Sequence, residues 1–150
     1  MRLTVATPLA IALETEGVMH VRGEDATGAF GILPGHADFV TVLATCVVSW
    51  RDQRGNDHHI AVRGGVLKVQ QGRSVAIDTR EAVLGDDLQQ LESDVLVVFR
   101  SRVAEEQVAR ADERRLYLAA VEQIIRYLRP NGRPGVGGPV GDEIHGASNP

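Results

Sequence analysis

Hydrophobic and polar residues alternate along the first part of the chain, from Leu3 to Leu84. Cys46, Val48 and Trp50, for example, occupy alternate positions, and the residues that follow each of them form a more polar set. A period of two places alternate side chains on opposite faces of a strand, so that one face is buried and the other is wet. Many short strands with small connections predict an antiparallel sandwich or barrel. Turn residues separate the runs at positions 23–28, 34–35, 54–57, 64–65 and 71–72.

The period changes after Gly85, where a helical pattern begins. Asp86, with Gln89 three residues later, is similar to a capping box, and Asp87 adds negative charge at the helix start. Apolar residues then recur at steps of three and four in two sets, separated by a charged stretch around 110–113. This pattern predicts two amphipathic helices that form a hairpin. The first set is Leu88, Leu91, Val95, Val98 or Phe99, and Val103, and the second is Leu116 or Tyr117, Ala120, Ile124, and Tyr127 or Leu128.

The segment 95–99, Val-Leu-Val-Val-Phe, carries β-branched residues that would also suit a buried strand. Strong helix formers flank it at 87–92 and 102–107, so we assign it to a helix. It is the longest wholly apolar run, and it is far shorter than the roughly 20 residues that span a bilayer. The pattern therefore predicts no transmembrane helix.

The last residues differ in composition from the rest. Arg129 precedes Pro130, and a residue before proline is disfavoured in a helix, so the second helix should end there. Gly and Pro dominate beyond this point, with too little apolar surface to offset the entropy of ordering. We predict three parts: a β-sandwich domain at 1–85, a helical hairpin domain at 86–129 and a Gly/Pro-rich disordered tail at 130–150.

Composition and charge exclude several classes of function. The chain has 150 residues, 43% of them hydrophobic, which is typical of a globular protein. Its net charge of -4, with no basic block, argues against nucleic acid as a partner. Lys68 lies within a strand pattern and is the only lysine, so a phosphate-binding loop of the NTPase type is excluded. Cys46 is alone, which excludes an internal disulfide and fits a reducing, cytoplasmic compartment.

Histidines are the best indication of enzyme-like chemistry, at His36 and at the adjacent His58 and His59. They leave open an alternative function, that of a small cupin-like β-barrel that binds a metal or a ligand. Neighbouring strand residues point to opposite faces, however, so His58 and His59 are poorly placed to share one metal. The simpler interpretation puts His58 on the face of Ile60 and His59 on a polar face with Arg63.

The segment Leu33-Pro34-Gly35-His36 suits a type II turn. Proline fixes φ at the second position, and glycine supplies a positive φ at the third. Such a turn is either a simple connection between strands or a rigid contact surface, because a rigid loop loses little entropy when it docks.

Three segments together resemble a known family. Residues 28–37, Gly-Ala-Phe-Gly-Ile-Leu-Pro-Gly-His-Ala, are similar to the signature of the ε subunit of F-type ATP synthases. Residues 63–69, Arg-Gly-Gly-Val-Leu-Lys-Val, and the junction at 85–88, Gly-Asp-Asp-Leu, match the same family in order and spacing. The resemblance covers residues 1–129. It implies an N-terminal ten-stranded antiparallel β-sandwich followed by a C-terminal α-helical hairpin.

The resemblance also implies a function. The chain would be a non-catalytic rotor subunit in the central stalk of a bacterial F-type ATP synthase, coupling ion translocation through the c ring to ATP synthesis or hydrolysis. Its partners would be the γ subunit and the c ring, and it would reach the cytoplasmic face of the inner membrane only through the complex. No catalytic residue, metal or cofactor is implied. The implied subunit-interface residues are Ala29, Gly31, Leu33, Pro34, Gly35 and His36.

Two departures from the family bear on this expectation. Many bacterial members bind ATP through an Ile or Leu followed by Asp, two variable residues, Arg and Ala. Here the aligned residues Leu88, Gln89, Glu92 and Ser93 replace the Asp by Gln and the Arg by Glu, which inverts the electrostatics for a triphosphate. We therefore expect no ATP binding. At Ala29, where many relatives are polar or acidic, we expect an apolar contact with the c ring.

The helices raise the question of regulation. In related bacterial proteins the second helix swings up beside γ and blocks rotation in the direction of hydrolysis. Glu122, Arg126 and Arg129 either contact acidic loops of the α/β hexamer or form a solvated face. A family-like sandwich with atypical helices suggests a divergent member, such as one from the alternate, sodium-linked branch of these enzymes.

Overall fold

The computed structural model describes residues 1–128. Ten strands come first and a helical part follows. The predicted tail at 130–150, and Arg129 before it, lie outside the described residues. The strands are β1 Arg2–Ala6, β2 Ile11–Thr15, β3 His20–Asp25, β4 Gly28–Ile32, β5 Phe39–Leu43, β6 Cys46–Arg51, β7 Asp57–Val62, β8 Gly65–Gln70, β9 Ser74–Asp78 and β10 Ala82–Gly85. The helical part is α1 Leu88–Gln90, a π-helical turn Leu91–Val95 and α2 Leu96–Leu128.

The strands form one continuous hydrogen-bonded path in the order β10-β7-β6-β3-β5-β8-β9-β1-β2, with β4 paired to β3. This confirms the predicted ten-stranded sandwich followed by a helical part. One pairing departs from the antiparallel prediction, because β1 runs parallel to β9, with Leu3 beside Val75 and Val5 beside Ile77. The two strands are far apart in sequence, so no tight hairpin fixes their relative direction.

The main core lies between the two halves of this path and is built from aliphatic side chains of alternate strand positions. Burial of this apolar surface is the dominant favourable term in folding. The alternation seen in the sequence therefore identifies the core correctly in most strands. Fully buried members include Leu3, Val5, Val21, Ile32, Val48, Ile60, Leu67, Val69, Val75 and Ile77.

A second, smaller core corrects the prediction that the outer strand face is wet. Ala61 of β7 is fully buried against Leu91, Leu96 and Phe99, and Val47 packs on the same cluster. The outer face of β6 and β7 is thus covered by the start of the helical part. The apolar run at 95–99 is helical, as predicted, because it supplies this covering face.

The helical part differs from the predicted hairpin in one respect: no turn interrupts it after residue 96. Helix α2 runs without a break from Leu96 to Leu128. The charged stretch at 110–113 is Arg-Ala-Asp-Glu, and α2 contains neither glycine nor proline. Because these residues favour a helix, nothing in the local sequence forces a turn there.

The chain divides into two compact units, one from Met1 to Ala109 and one from Arg110 onward. In the second unit the described residues, 110–128, belong to α2, and their side chains are exposed except for the half-buried Val121. Within the described residues, no helix combines the length and the apolar character needed to cross a membrane. A domain boundary at Gly85 stays a prediction.

Candidate docking surface

The predicted type II turn is present at 33–36, between β4 and β5. The His36 amide donates to the Leu33 carbonyl oxygen at 3.1 Å, and Gly35 has a φ of 84°. Proline at the second position and glycine at the third supply these dihedral angles. The turn presents Leu33 to solvent, where this side chain is 59% exposed. A large apolar side chain on a rigid turn is a suitable contact point for another protein.

A second turn, at residues 70–73 between β8 and β9, holds the 33–36 turn from behind. The Gly35 amide donates to the Gly72 carbonyl oxygen at 2.9 Å. A Cβ added to Gly72, whose φ is 62°, would stand 2.6 Å from the Gly35 Cα. Only glycine therefore lets the two backbones meet this closely.

Side chains around the two turns make further contacts that hold the 33–36 turn in place. The Asp38 carboxylate accepts a hydrogen bond of 2.7 Å from the Gln71 amide. The His36 ring donates through Nδ1 to the Ala37 carbonyl oxygen at 2.7 Å and lies edge-on to Phe39 at 5.7 Å. Each contact restricts the segment that leads from the turn into β5, so the turn is rigid before any partner arrives.

Two further predicted interface residues, Ala29 and Gly31, lie on the outer face of β4. Ala29 stands directly opposite Glu24, and Gly31 stands opposite Arg22. A Cβ added to Gly31 would lie 2.7 Å from His20 Nε2, so the imidazole occupies the space that a side chain there would need. The surroundings of Ala29 are thus charged rather than apolar. The apolar contact with the c ring expected at Ala29 stays a prediction.

The positions of the degenerate nucleotide motif lie at the start of the helical part. The N-cap is Asp87, not the predicted Asp86: its carboxylate accepts from the Gln89 amide at 2.9 Å and from the Gln90 amide at 3.4 Å. Ser93 donates to Asp94 at 2.9 Å. This end of the helix is therefore acidic, and its free amide groups are already occupied by a carboxylate.

A cavity of about 490 Å³ joins that helix start to the outer sheet face. Leu88 and Glu92 line it from the helix, and Ala29 and Glu24 line it from β4 and β3. Arg22, Arg51 and Asp57 also line the cavity, so its wall carries charges of both signs. At the aligned positions of the family's nucleotide motif the helix start thus carries a neutral Gln89 in place of Asp and an acidic Glu92 in place of Arg.

A network of ion pairs, in which arginine and glutamate side chains alternate, joins α2 to the sandwich. Arg63, whose side chain is 11% exposed, contacts both Glu81 and Glu106. Glu81 also pairs with Arg102 of α2, and Glu106 of α2 also pairs with Arg80 at 2.7 Å. The first turns of α2 are therefore held by charge as well as by the apolar contacts on Ala61.

The histidines considered for the alternative function have separate partners. His58 stacks on Trp50 at 5.3 Å and donates through Nε2 to Asp52 at 3.0 Å. His59 Nδ1 lies 2.8 Å from Ser49 Oγ, and His36 belongs to the 33–36 turn. The residues that the structure describes contain no group of three or more His, Cys, Asp or Glu side chains suited to a metal ion.

Two of the three charged residues considered for regulation, Glu122 and Arg126, lie on α2 in the second unit. Glu122 and Arg126 are exposed and stand four residues apart on the helix. This spacing brings opposite charges together on a helix surface and stabilises the helix by itself. Arg129 lies outside the described residues.

Three structural features were missed by sequence reasoning. The role of Gly72 has no sequence signal beyond the Gln-Gly pair, since its partner Gly35 is remote in the chain. The Asp38 contact with Gln71 is equally remote. The only sequence signal for the Arg63 ion-pair network is the position of Arg63, which directly follows an apolar strand.

These observations define a class of protein: a small β-sandwich with a helix packed on its outer face and a rigid, exposed turn at one end. Residues 1–85 match the family described as ATP synthase, Delta/Epsilon chain, beta-sandwich domain. The chain therefore belongs to the ATP synthase delta/epsilon family.

Individual relatives, whose similarity extends beyond the sandwich into the helical part, support this assignment. The chain is 42% identical over 131 residues to "ATP synthase epsilon chain 2" of Paraburkholderia xenovorans, with 87% of this chain and 94% of the relative covered. It is 41% identical over 128 residues to "ATP synthase epsilon chain 2" of Cereibacter sphaeroides, with 85% and 88% covered. The predicted role of a rotor stalk subunit in an F-type ATP synthase is confirmed, and the cupin-like alternative is not favoured.

A solved structure shares the fold. The match is to a chain in the mitochondrial ATP synthase of Euglena gracilis, determined as an OSCP/F1/c-ring assembly. The TM-score is 0.53 and the sequence identity is 27%. The matched region covers 60% of this chain and 57% of that chain.

Proposed function

We propose that the chain is a non-catalytic coupling subunit that docks on the γ subunit and the c ring through the 33–36 turn and the neighbouring face of β4. The observation that carries this proposal is the rigid turn with an exposed leucine, held from behind by a buried glycine. A rigid surface transmits torque without losing entropy on binding. Ion flow through the c ring would thus be coupled to ATP synthesis or hydrolysis in the α/β hexamer.

The location follows from the same proposal. Docking on the c ring would hold the chain at the cytoplasmic face of the bacterial inner membrane, through protein contacts alone. The two relatives named "ATP synthase epsilon chain 2" support placing the chain in a divergent branch, for which the sodium-linked enzymes are our candidate. No residue of the chain would contact the transported ion, so the chain itself would not select it.

The test of docking compares two exposed leucines, one in the 33–36 turn and one outside it. Leu33 is 59% exposed in the turn, and Leu9 is 97% exposed in the loop between β1 and β2. Each is replaced by glutamate in the full chain, which is co-expressed with γ and the c subunit. The Leu33→Glu variant should be lost from the purified complex, whereas Leu9→Glu should be recovered in the same ratio as the unsubstituted chain.

Equal recovery of both variants would remove the 33–36 turn from the interface. Failure to recover the unsubstituted chain with γ or the c ring would contradict the docking function as a whole. Thermal melts of the isolated variants serve as the control, because both side chains are exposed and neither substitution should unfold the sandwich.

We also propose that the second unit has a regulatory role, through Glu122 and Arg126 on α2 and through Arg129. Their charges would contact loops of the hexamer when the enzyme works in the direction of hydrolysis. An Arg126→Glu variant should then raise ATP hydrolysis while leaving synthesis unchanged. Unchanged hydrolysis would leave these residues as a solvated helix face.

A further inference from the structure

A second cavity, of about 520 Å³, lies beside the 33–36 turn where β1 begins. Pro34 lines it from that turn, and Gly72 and Arg73 line it from the 70–73 turn. Because the Gly35 amide is bonded to the Gly72 carbonyl oxygen, the wall of this cavity and the 33–36 turn form one rigid body.

The charges around this cavity do not balance. Arg2 and Glu16 line it and compensate each other, since the Arg2 guanidinium donates to one Glu16 oxygen through Nε at 3.0 Å and through Nη2 at 2.6 Å. Among the residues that the structure describes, no side chain pairs with Arg73. The cavity therefore carries one guanidinium without a counter-ion.

Two neutral polar residues, Ser74 and Gln53, line the same cavity as Arg73. A guanidinium donates two parallel hydrogen bonds to a planar carboxylate, and residues such as serine and glutamine can donate to the same group. The unpaired charge of Arg73 therefore favours an anion at this wall.

We propose that this cavity, which we call the Arg73 notch, receives an Asp or Glu side chain of the rotor subunit on which the 33–36 turn docks. The inference rests on the proposed docking function and specifies its chemistry. An exposed arginine holds a free anion only weakly, because a solvent-exposed charge pair contributes little to binding. A carboxylate carried by a partner already seated on Leu33 and Pro34 avoids the entropy loss of a separate binding event.

The test measures the affinity of the full chain for a purified complex of γ and the c ring. Arg73→Glu should weaken binding about tenfold or more, since repulsion replaces attraction at the notch. Arg73→Lys keeps the charge and should lose only a few-fold. The matched control is Arg100→Glu, which makes the same charge change at an exposed position on α2 and should bind as the unsubstituted chain does.

The decisive supporting result is rescue, in which replacing one acidic residue of the partner by lysine restores binding to Arg73→Glu alone. Equal effects of Arg73→Glu and Arg100→Glu would overturn the notch while the docking function stands. If the unsubstituted chain fails to bind the complex, the proposed function fails and the notch with it. Arg73-dependent binding to inorganic phosphate or to phosphatidylglycerol vesicles, with unchanged affinity for the rotor, would also overturn the proposal and assign the notch to free or lipid phosphate.

Discussion

The Gly35 amide donates a hydrogen bond of 2.9 Å to the Gly72 carbonyl oxygen, joining two turns that lie far apart in the sequence. Gly72 is buried and has a φ of 62°, and its Cα hydrogens face the Gly35 backbone. The exposed 33–36 turn therefore has a rigid support that a strand hairpin alone would not supply.

Replacing Gly72 by alanine should displace the 33–36 turn. The new methyl group would meet the Gly35 Cα at 2.6 Å, and the positive φ adds backbone strain. Strain alone costs about 1 kcal/mol, and a steric overlap with backbone adds about 1–3 kcal/mol more. Urea denaturation measures the loss of stability, and recovery with γ measures the loss of docking.

The matched control for this substitution is Gly55→Ala. Gly55 also has a positive φ, of 84°, but an added Cβ there meets nothing within 4 Å. It should lose only the strain contribution and keep full docking. If Gly72→Ala and Gly55→Ala behave alike in both measurements, the contact between the Gly35 and Gly72 backbones has no role in stability or docking.

Arg63 should be the most sensitive member of the ion-pair network. Its side chain is 11% exposed and contacts Glu81 and Glu106, so Arg63→Met leaves two partly buried carboxylates beside each other. We expect a loss of about 2 kcal/mol, below the range for fully buried pairs because the glutamates are about one-third exposed. Arg80→Met, at a side chain that is 55% exposed, should cost less than about 1 kcal/mol.

Amide hydrogen exchange locates the effect of Arg63. Loss of the network should reduce protection in the part of α2 that carries Arg102 and Glu106, while the protection of β1 and β9 stays unchanged. Uniform loss of protection across the sandwich would show that Arg63 supports the core and does not act as a helix contact.

Calorimetry with ATP should give no heat of binding for the unsubstituted chain at millimolar nucleotide. Glu92 stands at the aligned position where the family motif has an arginine, so a carboxylate replaces the cation that would contact the triphosphate. The double variant Gln89→Asp with Glu92→Arg restores the two charged residues of the family motif and should bind ATP measurably, whereas Glu105→Arg, an exposed charge reversal elsewhere on α2, should not. Binding by the unsubstituted chain would contradict the electrostatic argument.

Acid should destabilise the sandwich through Asp52 at the turn between β6 and β7. Hydrogen bonds from His58 and from the Asn56 amide hold the pKa of the Asp52 carboxyl well below its ordinary value. Because the folded pKa is the lower one, the contribution is present above about pH 4 and is lost as the pH falls through the folded value. Asp52→Asn should show a smaller drop in melting temperature between pH 5 and pH 2 than the unsubstituted chain. An equal drop would show that Asp52 does not contribute.

The sequence predicts the strands well because their alternation is a local property. Leu3 and Val5, or Ile60 and Val62, show their buried face within a few residues. It does not predict that Ala61 is buried, because the outer face of β7 is covered by Leu96 and its neighbours from far along the chain. Tertiary contact overrides the local polar pattern at that strand.

The helical part shows a different limit. The charged stretch at 110–113 separates two apolar sets, but charge alone does not end a helix, and the described residues continue as one helix. The turn at 33–36 was predictable from Pro34 and Gly35, whose backbone preferences are intrinsic. Its support by Gly72 was not, because that contact depends on how two distant turns meet.

The measurement that tests the central claim most directly is ATP-driven ion pumping by the assembled enzyme, with and without this subunit. Complexes that lack the chain should hydrolyse ATP with little ion uptake into vesicles, and added full chain should restore uptake. The Leu33→Glu variant should fail to restore it, whereas Leu9→Glu should succeed. Equal ion uptake per ATP with and without the chain would contradict a coupling role in the rotor.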